Sequence, residues 1–264
     1  MIVTSRFAIR KNRSDQDKPL EDHVVAEDLR GIYVVCDGVT RSLVNGAYPQ
    51  DSTAQQAASL FAEIAYQVLA RTLETASPGE ALRTAVVAGN DAIRRYNMAK
   101  FSHVDYLEND LAGTVAIIGV CVENAFHYAF IGDCCCYLVF KDDVVRITSP
   151  QTTKVAAYRA SAGSTTEATL TIRREFRNNK QSAFGYGVFT GEPQALEFVE
   201  YGQIPLAAGQ TIVLASDGVA ALFDSAPHTL YETSPEVILA EAEKFEAEHK
   251  MRSDDKSLIV VQIS

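Results

Sequence analysis

The chain has 264 residues, 47% of them hydrophobic, enough for a substantial core, and no compositional break marks a second domain; residues 1–264 are read as a single domain. A formal net charge of -10 excludes a nucleic-acid backbone or an anionic membrane surface as the main partner, since both reward clustered Lys and Arg. It suits a protein that concentrates cations. The N-terminal segment lacks the apolar run of a signal peptide and no stretch is long and apolar enough to span a bilayer, so the expected location is the cytoplasm.

The opening ten residues alternate as a strand and lead into the polar loop Lys11–Lys18, followed by strand candidates at His23–Ala26 and Ile32–Cys36. The period then changes. Ser52 caps a helix whose apolar stripe runs through Leu60, Ile64 and Val68, and Ser77-Pro78-Gly79-Glu80 is a capping box opening a second helix that ends near Ala99. Two adjacent amphipathic helices of this length need a sheet to lie on. Strands return at Thr114–Val122, Ala125–Ile131, Cys134–Phe140 and Val144–Ile147, with turns so short that an antiparallel meander is expected. Pro150–Gly191 is polar, with one strand candidate at Ala168–Ile172, and is expected to be an irregular, flap-like surface insertion of the kind that forms lids or binding elements. Strands near Leu196–Tyr201 and Thr211–Ala215, helices near Val219–Phe223 and Pro235–His249, and a last strand at Ser257–Ile263 complete an α+β pattern.

Cys36, Cys121 and the run Cys134-Cys135-Cys136 have no CxxC spacing, and neighbours in an extended run point to opposite faces, so the triplet is read as core rather than zinc ligation. The His residues show no HxH or HExxH pattern, although His23 stands beside Asp22. Arg173, Arg174 and Arg177 in the insertion are read first as a solvated charged face, with phosphoprotein recognition as the alternative.

Acids at the ends of apolar strands are more informative. YVVCDGV ends in Asp37, FIGDC holds Asp133, IVLASDGV holds Asp217, and SDDKSLIVV opens with Asp254 and Asp255. A lone turn Asp is satisfied by backbone amides. Several acids converging at buried strand ends demand hydrogen bonds, a base or a bound cation.

Glu21-Asp22, Asp37-Gly38, two helices, Gly113-Thr114, Gly132-Asp133, Ser216-Asp217-Gly218 and Asp254-Asp255-Lys256-Ser257 come in an order and spacing that resemble the metal-dependent PP2C (PPM) protein serine/threonine phosphatases of the bacterial type. The resemblance covers nearly the whole chain. It implies a four-layer αββα sandwich, two antiparallel sheets flanked by helices, with Mn²⁺ or Mg²⁺ at one edge: two ions expected and a third possible in the family. It further implies that Asp37 bridges the metals, that the Gly38 carbonyl serves one of them, and that Asp217 and Asp254 hold the other. Glu21 and Asp22 match the acids that bind metal-coordinated waters, and Asp133 matches an accessory ligand. Asp37 and Asp217 are the catalytic pair on this reading.

The chemistry agrees with oxygen-rich sites for hard cations, which can generate a metal-bound hydroxide and clamp phosphoryl oxygens. The sequence departs from the family around the substrate phosphate. Asp17 or Lys18 stands where many members have Arg, Leu20 replaces Asn, Val39-Thr40-Arg41-Ser42 follows Asp37-Gly38 without the usual His or Met and paired Gly, and Pro150-Gln151 replaces Asp-His. Arg13, Lys18 and Arg41 are therefore the candidate phosphate cations, with Arg10 a further choice. The expected activity is hydrolysis of phosphoserine and phosphothreonine in proteins, with a cognate kinase as a further partner. The alternatives are a catalytically weak regulatory module and a phosphatase for a small phosphorylated metabolite.

Overall fold

Strands that alternate between two apolar environments build the centre of the molecule. The computed structural model describes residues 2–13, 17–39, 48, 51–141, 143–163, 165–232 and 234–264; Arg41 and its neighbours in the segment after Val39 lie outside them. One sheet has the order β1-β10-β9-β6-β7, formed by β1 (Val3–Arg10), β10 (Lys256–Ile263), β9 (Thr211–Ala215), β6 (Cys135–Val139) and β7 (Val144–Arg146). The other has the order β2-β3-β4-β5-β8, formed by β2 (His23–Glu27), β3 (Ile32–Gly38), β4 (Thr114–Val122), β5 (Ala125–Ile131) and β8 (Glu200–Pro205). All the pairings are antiparallel.

The sheets face each other, and α1 (Thr53–Thr72) and α2 (Pro78–Lys100) cover the second. The first is covered by α5 (Ala220–Ser225) and α6 (Pro235–Glu248), whereas α3 (Thr153–Ala162) and α4 (Thr166–Thr171) belong to the segment between β7 and β8. This is the expected four-layer αββα sandwich. Burial on both faces explains the continuous apolar runs of the central strands: Ile259 and Val261 of β10 pack between the sheets, and Leu258 and Val260 pack toward α5 and α6. The cysteine run obeys the same two-residue period, with Cys134 and Cys136 between the sheets and Cys135 toward the helices. All the cysteines are free thiols.

The helix starts follow the sequence closely. Ser52 accepts the backbone NH of Gln55, and Ser77 and Glu80 exchange both bonds of a capping box. Glu123 and Asn124, both at positive φ, close the β4–β5 hairpin as a two-residue turn. Three expectations need correction. The strands from 114 to 147 do not form one meander, because β4 and β5 lie in one sheet while β6 and β7 lie in the other; the Gly132-Asp133 turn carries the chain across. Leu196–Tyr201 is split, with a 3₁₀ turn over Pro193–Phe198 preceding β8. Ala168–Ile172 is helical rather than extended: α4 is capped by Thr165 and runs into a π-helical turn over Ile172–Phe176. The Thr-Leu-Thr-Ile alternation suggested a strand, but burial falls on Ala168, Ile172 and Phe176, a spacing of four that only a helix places on one face.

Candidate metal centre

Asp37 closes β3 and is held there by its neighbours. It pairs in register with Val115 of β4, and Thr114 Oγ1 donates to its backbone carbonyl at 2.7 Å. Gly38 donates its NH to the Glu21 carbonyl at 3.2 Å. A Cβ on Gly38 would lie 2.6 Å from the Ala54 carbonyl oxygen and 2.8 Å from that of Glu21, so only glycine lets the three segments meet. Asp217 stands on the matching corner of the other sheet, directly after β9, in a 3₁₀ turn over Asp217–Val219. There a Cβ on Gly218 would sit 2.0 Å from the Asp255 carbonyl oxygen. Each Asp-Gly pair thus has its glycine because the backbone of another acidic motif abuts it: Glu21 in one case and Asp255 in the other.

Asp133 comes from the turn that joins the sheets. Gln151 grips that turn, donating its NH to the Gly132 carbonyl at 2.8 Å and accepting the Gly132 NH at 3.0 Å, while Thr152 Oγ1 donates to Asp133 Oδ2 at 3.0 Å. The Pro150-Gln151 departure therefore has a job: it fixes Asp133. Asp37, Asp133 and Asp217 present carboxylate oxygens that all lie within 4.8 Å of one another.

Like charges this close raise one another's proton affinity. Burial, and then Asp217, Asp22 and Asp133, holds Asp37 well above the ordinary carboxylate range. Burial followed by Asp133 and Asp254 pushes Asp217 up to about 7. Burial also raises Asp133, against the pull of the Thr152 hydroxyl. Asp22, beside them, is pushed up to about 8 by burial, with the Ser216 and Ser257 hydroxyls pulling the other way. Its Oδ2 is buried and has no hydrogen-bond partner among the described residues. A hard divalent ion fits this set: the donors are all oxygens, their mutual repulsion is relieved by a cation, and an orphaned carboxylate oxygen remains to receive an ion's water.

The C-terminal acids divide their work. Asp255 is 2% exposed and saturated, accepting Asn12 N at 2.8 Å, Asn12 Nδ2 at 3.1 Å and Glu21 N at 2.9 Å, so it braces the N-terminal loop. Asp254, with a side chain 55% exposed, faces the centre's rim, and its Oδ1 lies 2.9 Å from Lys18 Nζ. That division supports Asp254 over Asp255 as a ligand, yet Asp254 stands outside the tight cluster while Asp133, ranked below it from sequence, stands inside. Glu21 is 3% exposed, takes the Ser52 hydroxyl at 2.5 Å on Oε1, and has Oε2 3.5 Å from Lys18. The N-cap of α1 thereby orients an acid of the centre.

The described candidate phosphate cations are each engaged. Arg13 Nη2 lies 2.6 Å from Glu243 Oε2 with a side chain 67% exposed, and Arg10 shares the same carboxylate at 2.6 Å. Lys18 is buried among Asp254, Glu21 and Asp255. Arg41 is among the residues not described. His23 turns away, its Nε2 3.3 Å from Glu63. The sequence reading missed Lys256, which is 1% exposed: its ammonium lies 2.7 Å from Glu246 of α6 and donates to the Asp254 carbonyl at 2.8 Å and the Ser253 hydroxyl at 3.2 Å. A lysine opening an otherwise apolar strand was the available signal.

Among curated protein sequences none matches this chain. Among solved structures, that of the Mycobacterium tuberculosis serine/threonine phosphatase PstP/Ppp is similar over 100% of both chains, with 18% identity and a TM-score of 0.71. The PstP catalytic domain in complex with 2 manganese ions is similar over 99% of each chain, with 19% identity and a TM-score of 0.63. The serine/threonine phosphatase Stp1 from Staphylococcus aureus is similar over 100% of this chain and 96% of its own, with 14% identity and a TM-score of 0.64. These likenesses establish the fold. A family model for protein phosphatase 2C matches residues 5–252, nearly the whole length. The chain belongs to the protein phosphatase 2C family.

Proposed function

We propose that this protein hydrolyses phosphoserine and phosphothreonine in proteins with Mn²⁺ or Mg²⁺ as its cofactor. The observation that carries the reading is the convergence of Asp37, Asp133 and Asp217 within 4.8 Å at one edge of the sandwich. Family membership supports an enzyme over a binding module or a metabolite phosphatase, and the manganese complex of the PstP catalytic domain supports the choice of ion.

Asp37, the Gly38 carbonyl, Asp217 and Asp133 would hold the ions, with Asp254 at the rim and with Glu21 and Asp22 placed to accept hydrogen bonds from their waters. When bound, such ions activate water and neutralise the developing charge on phosphorus. The chain's own contribution is order. Thr114 fixes the Asp37 carbonyl, Thr152 and Gln151 fix Asp133, and Ser52 fixes Glu21, so the carboxylates would receive a cation with little reorganisation. Arg13, the most exposed of the described phosphate candidates, is assigned to the substrate phosphate. Its backbone NH donates to Ser253 Oγ at 3.2 Å, which keeps it beside the Asp254 loop. The free thiols support a reducing, cytoplasmic location, and no described helix is long and apolar enough to cross a membrane. A kinase acting on the same proteins is the implied partner.

The test compares phosphopeptides with p-nitrophenyl phosphate as substrates. Mn²⁺-dependent activity should vanish in chelator and return with the ion, phosphopeptides should give the higher kcat/KM, and Asp37→Asn should lower kcat on the order of 10²–10³-fold. Turnover indifferent to both chelator and Asp37→Asn would sink the proposal.

A further inference from the structure

Lys18 occupies a place in the acidic centre that its neighbours do not share. It is 6% exposed, and its ammonium lies 2.9 Å from Asp254 Oδ1, 3.5 Å from Glu21 Oε2 and 3.6 Å from Asp255 Oδ2. Burial works against the charge, but Asp254, with Asp255 and Glu21, outweighs it and holds the ammonium above its ordinary range. Asp254 Oδ1 also accepts the Asp255 NH at 2.9 Å, so that oxygen already has two donors. Asp37, Asp133 and Asp217 are different: among the described residues, none of the three forms an ion pair with Lys or Arg. The centre thus has a half without an ion pair, which feels Lys18 only at longer range through Asp217, and a half that carries its own cation.

We infer that Lys18 is a resident cation on the Asp254 side of the centre, so that one divalent ion binds tightly at Asp37, Asp133 and Asp217 while a second, drawing on Asp254, binds only by displacing the ammonium. The inference rests on the proposed metal dependence. Its physical basis is competition: Asp254 Oδ1 already takes two donors, which crowds a divalent ion approaching that oxygen, and a positive charge retained nearby repels the ion. The arrangement also sets the role of Lys18 apart from that of a phosphate ligand, since its donors point at carboxylates.

Metal-free protein titrated with Mn²⁺, followed by calorimetry and by the electron paramagnetic resonance of the free ion, tests this directly. Wild type should show one tight site and one at least about ten-fold weaker. Lys18→Met should tighten the weak site by about ten-fold or more, a difference of about 1.4 kcal/mol, and leave the tight site within about three-fold. Asp254→Asn, which keeps Lys18, should remove the weak site and spare the tight one. The idea is overturned if Lys18→Met leaves the weak site unchanged or weaker, if it lowers phosphopeptide kcat/KM with Mn²⁺ binding unaltered, or if Asp254→Asn destroys the tight site. Absence of any Mn²⁺ binding would overturn the metal-dependent reading itself, a different failure from two equal sites that ignore Lys18.

Discussion

Two charged clusters in this molecule solve opposite problems. At the sandwich edge, Asp37, Asp133 and Asp217 bring like charges together, and among the described residues none of them forms an ion pair with Lys or Arg. Across the seam between the insertion and the α2–β4 connection, charges alternate in sign. Arg173 donates to the Glu108 carbonyl at 2.9 Å and lies 3.4 Å from Asp110, Arg174 lies 2.5 Å from Glu108, and Arg177 donates to the Tyr106 carbonyl with Glu192 at 3.5 Å. Asn178 ties the same seam to Val188, Thr190 and Glu192. The seam borders the larger cavity, about 590 Å³, whereas the acids stand beside a smaller one of about 180 Å³ lined by Asp217 and Asp254. Size is therefore a poor guide to chemistry here. Without an ion the unbalanced cluster can relieve its repulsion only by retaining protons, whereas the balanced one is closed by its own ion pairs.

The strongest way to break that contrast is to measure stability with and without metal. Asp217 at about 7 and Asp22 at about 8, with Asp37 also held well above the ordinary carboxylate range, mean that the metal-free native state keeps protons that the unfolded chain loses near pH 4. Between those values the native state binds more protons, so stability falls as pH rises. The melting temperature in chelator should therefore decline from about pH 5 to 8. Mn²⁺ at a hundred times its Kd should add about 2.7 kcal/mol at pH 7.5, a rise of roughly 5–10 °C for a chain of this size. Asp217→Asn should flatten the decline and lose most of the Mn²⁺ gain. A metal-free melting temperature that climbs through this window would show that the acids are satisfied within the chain.

The seam should respond without reference to metal. Arg177 has a side chain 9% exposed and Glu192 one 12% exposed, so Arg177→Leu removes a buried charged donor and should cost about 2–3 kcal/mol. Thermal denaturation should place the melting point lower by the same amount in chelator and in Mn²⁺. A loss confined to the Mn²⁺-loaded protein would join the seam to the metal centre and end the distinction.

Much of this was legible in the sequence, for reasons that differ by region. Strand ends, Asp-Gly pairs and caps are local: Ser52 and Ser77 declare their helices within four residues, and Asp37 and Asp217 each follow a continuous apolar run whose two-sided burial is visible in its composition. Convergence is not local. That Asp133 lies against Asp37 while Asp254 is taken up by Lys18 depends on how the turn between the sheets crosses over and on the path of the N-terminal loop, neither of which is written in any short window. The insertion failed differently. Thr169 to Ile172 carries a strand-like alternation and β-branched residues, and tertiary burial at Ala168, Ile172 and Phe176 overrode it. Lys256 was hidden by its neighbours, since its partner Glu246 lies ten residues away on a helix whose exposed face is also acidic.

The smallest expected effect discriminates most finely between a structural and a substrate-facing seam. Arg174 and Glu108 are about half exposed, with side chains 45% and 51% accessible, and pairs of this kind add little in water because solvent and salt screen them. Arg174→Ala should therefore move the melting temperature by less than about 2 °C, and that shift should shrink further in high salt. Phosphopeptide kcat/KM should stay within about two-fold of wild type, because the Glu108 carboxylate already occupies the guanidinium. A several-fold rise in KM with unchanged stability and unchanged kcat would mean that a phosphorylated substrate displaces Glu108 from Arg174. The balanced cluster would then be a binding surface held closed by its own acids, and charge balance alone would no longer separate scaffold from site.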